Sequence, residues 1–135
     1  GQMRWRLLNA IPVMRADGDD VTRSAAGRHA GELLLYAPAA ALDPAIRWRA
    51  IDESSAVATV GAHEITVTHD AAGALVALRM PRWGNPGNRA FGEHTFSATM
   101  EGELAFDGFR IPHVITAGWP DGPFIRYTVL AASAR

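Results

Sequence analysis

The fold is decided by residues 63–83, which read HEITVTHDAAGALVALRMPRW. An alternating run at 63–69 and a long, mostly apolar run at 75–83 flank the turn sequence Asp70-Ala71-Ala72-Gly73. Period-two alternation is typical of half-buried strands, and Gly73 supplies the positive φ that a tight hairpin needs. This stretch therefore predicts a β-hairpin within an antiparallel sheet.

The same alternation recurs on both sides of this hairpin. It predicts further strands at 3–8, 11–15, 46–51, 56–60, 93–102, 103–106, 109–117 and 124–131. Most of the connections are short turns, such as Phe106-Asp107-Gly108, and hairpins join antiparallel strands. Nine or ten strands in one short chain predict a curved sheet, either a half-barrel or a barrel.

One early segment has the spacing of a helix instead. Thr22 or Ser24 can cap its N-terminus, apolar residues continue to about Tyr36, and Pro38 ends it. Gly27 and Gly31 each cost about 1 kcal/mol in a helix interior, which suggests close packing against the sheet. The predicted fold class is α+β, with this helix on or in the concave face of the curved antiparallel sheet.

Composition limits the possible partners. The chain has 135 residues, a net charge of -1 and no Cys, and we expect a single β-rich domain over 1–135. Its Gly-Gln start before Met3 fits either a tag remnant or a domain excised from a longer chain. No basic excess favours a nucleic-acid partner, and no apolar run is long enough for a membrane span. No signal peptide is visible, which favours a cytoplasmic location.

Two charged residues of the helix are the first site candidates. Arg28 and Glu32 are spaced i,i+4 and can form an ion pair on one helix face. One interpretation is an ordinary surface pair. The other is a buried pair inside the curve of the sheet that anchors a polar headgroup.

The aromatic residues give a second set of candidates. Arg82 and Arg89 flank Trp83 in a turn-rich segment, which predicts either a clamp for an acidic or ring-bearing ligand or a long hairpin connection with the indole folded onto the core. The remaining tryptophans line either the core or a cavity in the sheet: Trp5, Trp48 and Trp119.

Catalytic and metal-binding patterns are weak. The serines lack a Gly-x-Ser-x-Gly elbow, and His63 and His69 are about 20 Å apart on one strand. We therefore expect no metal and no cofactor. Acid–base chemistry remains open, with Glu32, Arg28 and one histidine as its actors. The candidate histidines are His29, His94 and His113.

Several motifs together resemble a bacterial family of uncharacterised domains that is frequent in actinobacteria. They are MRWR at 3–6, VTRSAAGR at 21–28, GE at 31–32, Trp48, RMPRWGNP at 79–86, FRIP at 109–112 and GW at 118–119. The more specific parts are the Arg-x-x-x-Glu spacing at 28–32 and RWGNP at 82–86. The resemblance covers nearly the whole chain and implies no established activity. The predicted architecture is also similar, more remotely, to the half-barrels of periplasmic lipoprotein carriers.

Three functions follow as expectations. The first is noncatalytic binding of an apolar or amphipathic small molecule in the concavity of the sheet, with the tryptophans as wall and Arg28 and Glu32 as anchor. The alternative is a cofactor-free lyase, isomerase or hydrolase that uses Glu32, Arg28 and His94 in the same cavity. A third is an assembly domain that forms a homodimer through an exposed sheet edge.

Overall fold

A computed structural model describes residues 2–7, 11–36 and 43–133, and it describes side chains for 18–35 and 43–133. The elements follow in the order β1 Gln2–Leu7, β2 Ile11–Asp17, α1 Asp19–Tyr36, β3 Arg47–Ala50, β4 Ser55–Val60, β5 His63–His69, β6 Leu75–Gly84, β7 Gly92–Phe106, β8 Phe109–Trp119 and β9 Gly122–Thr128. The chain is thus α+β, as the alternation and the helical segment predict.

The strands form two sheets. Strands β3 to β9 pair in sequence order as one antiparallel seven-stranded sheet, and β1 pairs with β2 alone. Short connections make each strand the neighbour of the next one, whereas the 18-residue α1 separates the first hairpin from the rest. The main sheet therefore has fewer strands than the nine or ten predicted. Within the described residues it is open, with β3 and β9 at its edges, so the closed-barrel alternative is wrong.

The turns agree with their sequences. Gly73 has a φ of 83°, and Asp107 and Gly108 have φ values of 45° and 81°. Asp70 Oδ1 accepts hydrogen bonds from the backbone amides of Ala72 and Ala74, both at 2.9 Å. The Asp70 contacts stabilise the β5–β6 hairpin, and the positive φ values place both turns where the sequence predicts them.

Strands β6 and β7 are 10 and 15 residues long. Strand β7 is continuous over 15 residues, where the sequence predicts two strands, because Gly102 at φ 66° interrupts the alternation without ending the pairing with β8. In β6, pairing with β5 extends only from Leu75 to Arg79, whereas pairing with β7 continues to Gly84. Pro81 therefore lies where β6 has one free side, which is where a missing N–H is tolerated.

The helix begins earlier than predicted. It starts at Asp19, directly after Gly18 at φ 106°, so the predicted N-caps Thr22 and Ser24 lie inside it. The Thr22 hydroxyl donates a 3.0 Å hydrogen bond to the Gly18 carbonyl. Asp19 and Asp20 occupy the first turn, where the helix dipole favours negative charge. Pro38, predicted to end the helix, lies outside the described residues.

The core lies between α1 and one face of the sheet. Its most deeply buried side chains come from the middle strands: Ile65, Leu78, Met80 and Ile115. Ala30 and Leu35 of α1 pack against this cluster. A smaller cluster of Ile46 and Ala58 joins the end of the helix to β4. This packing of one helix on a sheet face fits the predicted curved sheet.

Candidate functional site

Helix α1 lies closely over strand β6. A Cβ atom at Gly27 would be 3.1 Å from Arg82 Cγ, and one at Gly31 would be 3.6 Å from Met80 Sδ. The first distance is tighter than ordinary contact, whereas the second is an ordinary van der Waals separation. The prediction that these glycines pack closely against the sheet is confirmed, and only at Gly27 would an added methyl group force its neighbour to shift.

Beside this contact, α1 and strands β6 to β9 leave a cleft of about 310 Å³. Apolar side chains from the four strands form most of its walls: Leu78, Phe96, Ala98, Ile115, Ala117, Phe124 and Ile125. Its polar lining comes from four side chains: Arg28, Glu32, Arg82 and Tyr127. We call this space the helix–sheet cleft.

Arg82 is the most unusual group in the cleft. Its Nε is buried and has no hydrogen-bond partner among the described residues. Its Cζ lies 4.8 Å from the centroid of Phe96 and 5.5 Å from that of Trp119. Burial lowers the pKa of Arg82; the charge of Arg28 acts in the same direction, and that of Glu32 opposes it. A buried donor without a partner destabilises the folded state by about 1–3 kcal/mol, whereas each cation–π contact stabilises it by about 0.5–2 kcal/mol.

Arg28 and Glu32 form the rim of the cleft. Arg28 Nε donates to Glu32 Oε1 at 2.7 Å, and the two side chains are 65% and 40% exposed. The surface-pair interpretation is therefore correct, although both side chains also line the cleft. An exposed i,i+4 pair of this kind contributes only about 0.3–0.5 kcal/mol to stability.

The cleft opens to solvent at edge strand β9, and we call this opening its mouth. Phe124 and Ile125 line the cleft and are still 58% and 43% exposed. The Phe124 ring stacks on Trp119 at 6.2 Å, and Phe96 meets Trp119 edge-on at 5.4 Å. Of the predicted tryptophans, Trp119 thus contacts two residues of the cleft wall without lining the cleft itself.

The structure does not bring the other predicted aromatics to the cleft. Trp83 Nε1 donates to Asp20 Oδ1 at 2.8 Å, and Arg23 lies 3.6 Å over its ring. Trp48 is 43% exposed on edge strand β3. The side chain of Trp5 lies outside the described residues.

The predicted clamp of two arginines around Trp83 does not form. Arg89 instead forms an ion pair with Asp121, which lies in the turn between β8 and β9; Arg89 Nη2 and Asp121 Oδ2 are 3.3 Å apart. Arg82 lines the cleft, with its aliphatic stem against Gly27 of α1. Among residues 80–89, only Arg82 lines the cleft.

The candidate catalytic residues are not assembled. His94 lies next to Trp119, with ring centroids 6.1 Å apart, and its buried Nε2 has no partner among the described residues. His94 is not part of the cleft lining, and no hydrogen bond within the described residues joins Glu32 to a histidine. In the described part of the chain, no cluster of three or more His, Asp or Glu could hold a metal ion. None of its helices is both long and apolar enough to cross a membrane.

Sequence reasoning identified none of the apolar wall residues, among them Phe96 and Phe124, and it also missed Tyr127. Burial raises the pKa of Tyr127, as does the charge of Glu32, whereas that of Arg28 lowers it. The missing signal was strand register: Met80 pairs with Phe96, and Ile115 pairs with Tyr127. Residues paired across two strands share a face, so the known inner face of β6 or β8 identifies these partners.

Comparisons with known proteins agree with the resemblance seen in the motifs. No curated protein and no solved structure is found to match the chain. A family described as being of unknown function matches residues 1–129, nearly the full length. The chain therefore belongs to the family of unknown function DUF6544.

Proposed function

We propose that this protein binds an apolar or amphipathic small molecule in the helix–sheet cleft, without catalysis. The observation that carries the proposal is the composition of the cleft wall: seven apolar side chains from four strands surround a space of about 310 Å³. Small-molecule sites are commonly concave, mostly apolar and about 300–1,000 Å³ in volume, with a few polar groups that orient the ligand.

The exposed aromatic mouth supports the proposal. Phe124 is more than half exposed although its ring contacts both Phe96 and Trp119. A ligand in the cleft would cover part of this apolar surface, and burial of apolar surface stabilises by about 25 cal/mol per Å². The cleft thus offers apolar area that folding alone leaves accessible to water.

The volume indicates how much of a ligand the cleft itself can hold. At about 30 Å³ per water molecule in the liquid, 310 Å³ corresponds to on the order of ten non-hydrogen atoms. This is the size of 1-octanol or 2-naphthol, whereas a diacyl lipid is several times larger. We expect dissociation constants between about 10 µM and 1 mM for such probes.

The test is isothermal titration calorimetry with 1-octanol and 2-naphthol, supported by the shift in Tm that each ligand causes. Phe124→Ala removes part of the mouth, so we expect binding to weaken by about tenfold. Phe109→Ala is the matched control, since Phe109 is also exposed, contacts only Phe106 among the described aromatic rings and does not line the cleft. It should bind the probes like the wild type.

Failure of both probes to bind the wild-type protein would overturn the proposal. Equal weakening by Phe124→Ala and Phe109→Ala would do the same, because binding would then not occur in the cleft. Turnover of a bound ligand, lost in Glu32→Gln, would replace the proposal with the acid–base enzyme.

A further inference from the structure

The charges that line the cleft do not balance. Arg28 and Glu32 are paired with each other at 2.7 Å, whereas Arg82 has no ion pair with any described residue. Two arginines and one carboxylate leave one positive charge in the cleft lining. This charge lies against the apolar wall of the cleft and close to the rings of Phe96 and Trp119.

The surroundings of Arg82 hold its side chain without satisfying its donors. Gly27 packs on its aliphatic stem, and Phe96 and Trp119 lie against its guanidinium. Neither ring provides a carbonyl or carboxylate oxygen, and the buried Nε has no hydrogen-bond partner among the described residues. A planar guanidinium with free N–H groups matches the two oxygens of a carboxylate.

We propose that the ligand of the helix–sheet cleft is a small amphipathic carboxylate, whose head accepts hydrogen bonds from Arg82 and whose apolar tail lies along Leu78, Ala98 and Ile115. This inference rests on the proposed function and specifies its ligand class. A monoanion balances the single positive charge. The cleft itself holds on the order of ten non-hydrogen atoms, the size of octanoate.

The experiment compares head groups on one alkyl chain. Octanoate, 1-octanol and octylammonium are titrated into the wild-type protein at neutral pH, with acetate as the head without the tail. We expect octanoate to bind at least about tenfold more tightly than 1-octanol, because a charge-assisted hydrogen bond is added. Octylammonium and acetate should bind more weakly than either.

Two variants locate the effect. Arg82→Met keeps the length of the apolar stem, so we expect it to bind 1-octanol like the wild type and to lose the preference for octanoate. Arg79→Met is the matched control, because Arg79 lies three residues earlier on β6, is exposed and does not line the cleft. It should keep the full preference.

The outcomes separate this inference from the proposed function. Equal affinity of the wild type for octanoate and 1-octanol would overturn the inference and leave apolar binding intact. Acetate binding as tight as octanoate would overturn the amphipathic class, since a simple anion site would explain it. Absence of binding by every probe would overturn the proposed function itself. If Arg82→Met does not fold, the head-group series on the wild type decides alone.

Discussion

Gly27 of the helix and Arg82 of the central strand β6 are in direct contact, with the Cβ position of the glycine only 3.1 Å from Arg82 Cγ. The missing side chain at position 27 lets the arginine stem run beneath the helix. Its guanidinium is thereby directed to Phe96 and Trp119 at the cleft. A residue that weakens the helix thus positions the cation that distinguishes the site.

Substitution of the two helix glycines should give different stabilities. Gly31→Ala places a methyl group at an ordinary 3.6 Å from Met80 Sδ, so we expect the free energy of unfolding to rise by about 0.5–1 kcal/mol from helix propensity. Gly27→Ala should show no gain, because the Arg82 stem must move. Urea unfolding of both variants measures the difference. Equal gains would show that the Arg82 stem moves freely.

The strands could be predicted from sequence because alternation is a local signal. Ile65 and Val67 are buried as the pattern of β5 requires, and both hairpin glycines have positive φ. Register is not local, since it depends on pairing across loops such as residues 85–91. For this reason the sequence did not reveal that Phe96 faces the same cleft as Arg82.

Strand position also explains why the predicted wall residues Trp83 and Trp48 do not line the cleft. Arg82 and Trp83 are adjacent on β6, but only Arg82 lines the cleft, whereas Trp83 contacts Asp20 and Arg23 near the start of α1. Trp48 shares a sheet with the cleft strands but lies three strands from β6, at the edge. Aromatic content alone therefore does not identify a cavity wall without strand order.

Gly84 is demanded by the indole of Trp119. A Cβ atom there would be 2.6 Å from Trp119 Cη2, so Gly84→Ala must displace a rigid ring that packs on Phe96 and Phe124. We expect a loss of about 1–3 kcal/mol in the free energy of unfolding. Gly92→Ala is the matched control, since Gly92 pairs with Gly84 and its Cβ would lie 3.4 Å from His94 Nε2. A smaller loss at Gly84 than at Gly92 would contradict this packing.

Stability should fall at alkaline pH through Tyr127. Burial, and next the charge of Glu32, raise the pKa of this phenol in the folded protein, with Arg28 opposing. The folded state holds the phenol proton more tightly than the unfolded chain, whose tyrosines titrate near pH 10. The contribution of the protonated Tyr127 phenol to the free energy of unfolding is therefore intact below about pH 10, and it is lost as pH rises through the pKa of the folded state.

The measurement compares the free energy of unfolding of the wild type and Tyr127→Phe at about pH 8 and about pH 10.5. We expect the advantage of the wild type over the variant to shrink at the higher pH. An advantage that is independent of pH would show that the phenol ionises equally in the folded and unfolded states.

Charge substitutions at the rim should tune carboxylate binding in opposite directions. The charge of Glu32 acts on both Arg82 and Tyr127, so it opposes an anion in the cleft. We expect Glu32→Gln to bind octanoate about two- to fivefold more tightly, a small change because the Arg28–Glu32 pair is largely exposed. Arg28→Gln should weaken octanoate binding, because it removes one positive charge and leaves Glu32 unpaired.

Calorimetric titration of octanoate and 1-octanol into both variants checks this prediction. Binding of 1-octanol should not change, since neither substitution alters the apolar wall. Glu64→Gln is the control, because Glu64 is exposed on β5 and does not line the cleft. Weaker octanoate binding by Glu32→Gln would instead mean that the ligand contacts Glu32 directly. Opposite changes in octanoate affinity in Glu32→Gln and Arg28→Gln would show that the charge of the cleft selects its ligand. A purely apolar cleft would leave both variants with the affinity of the wild type.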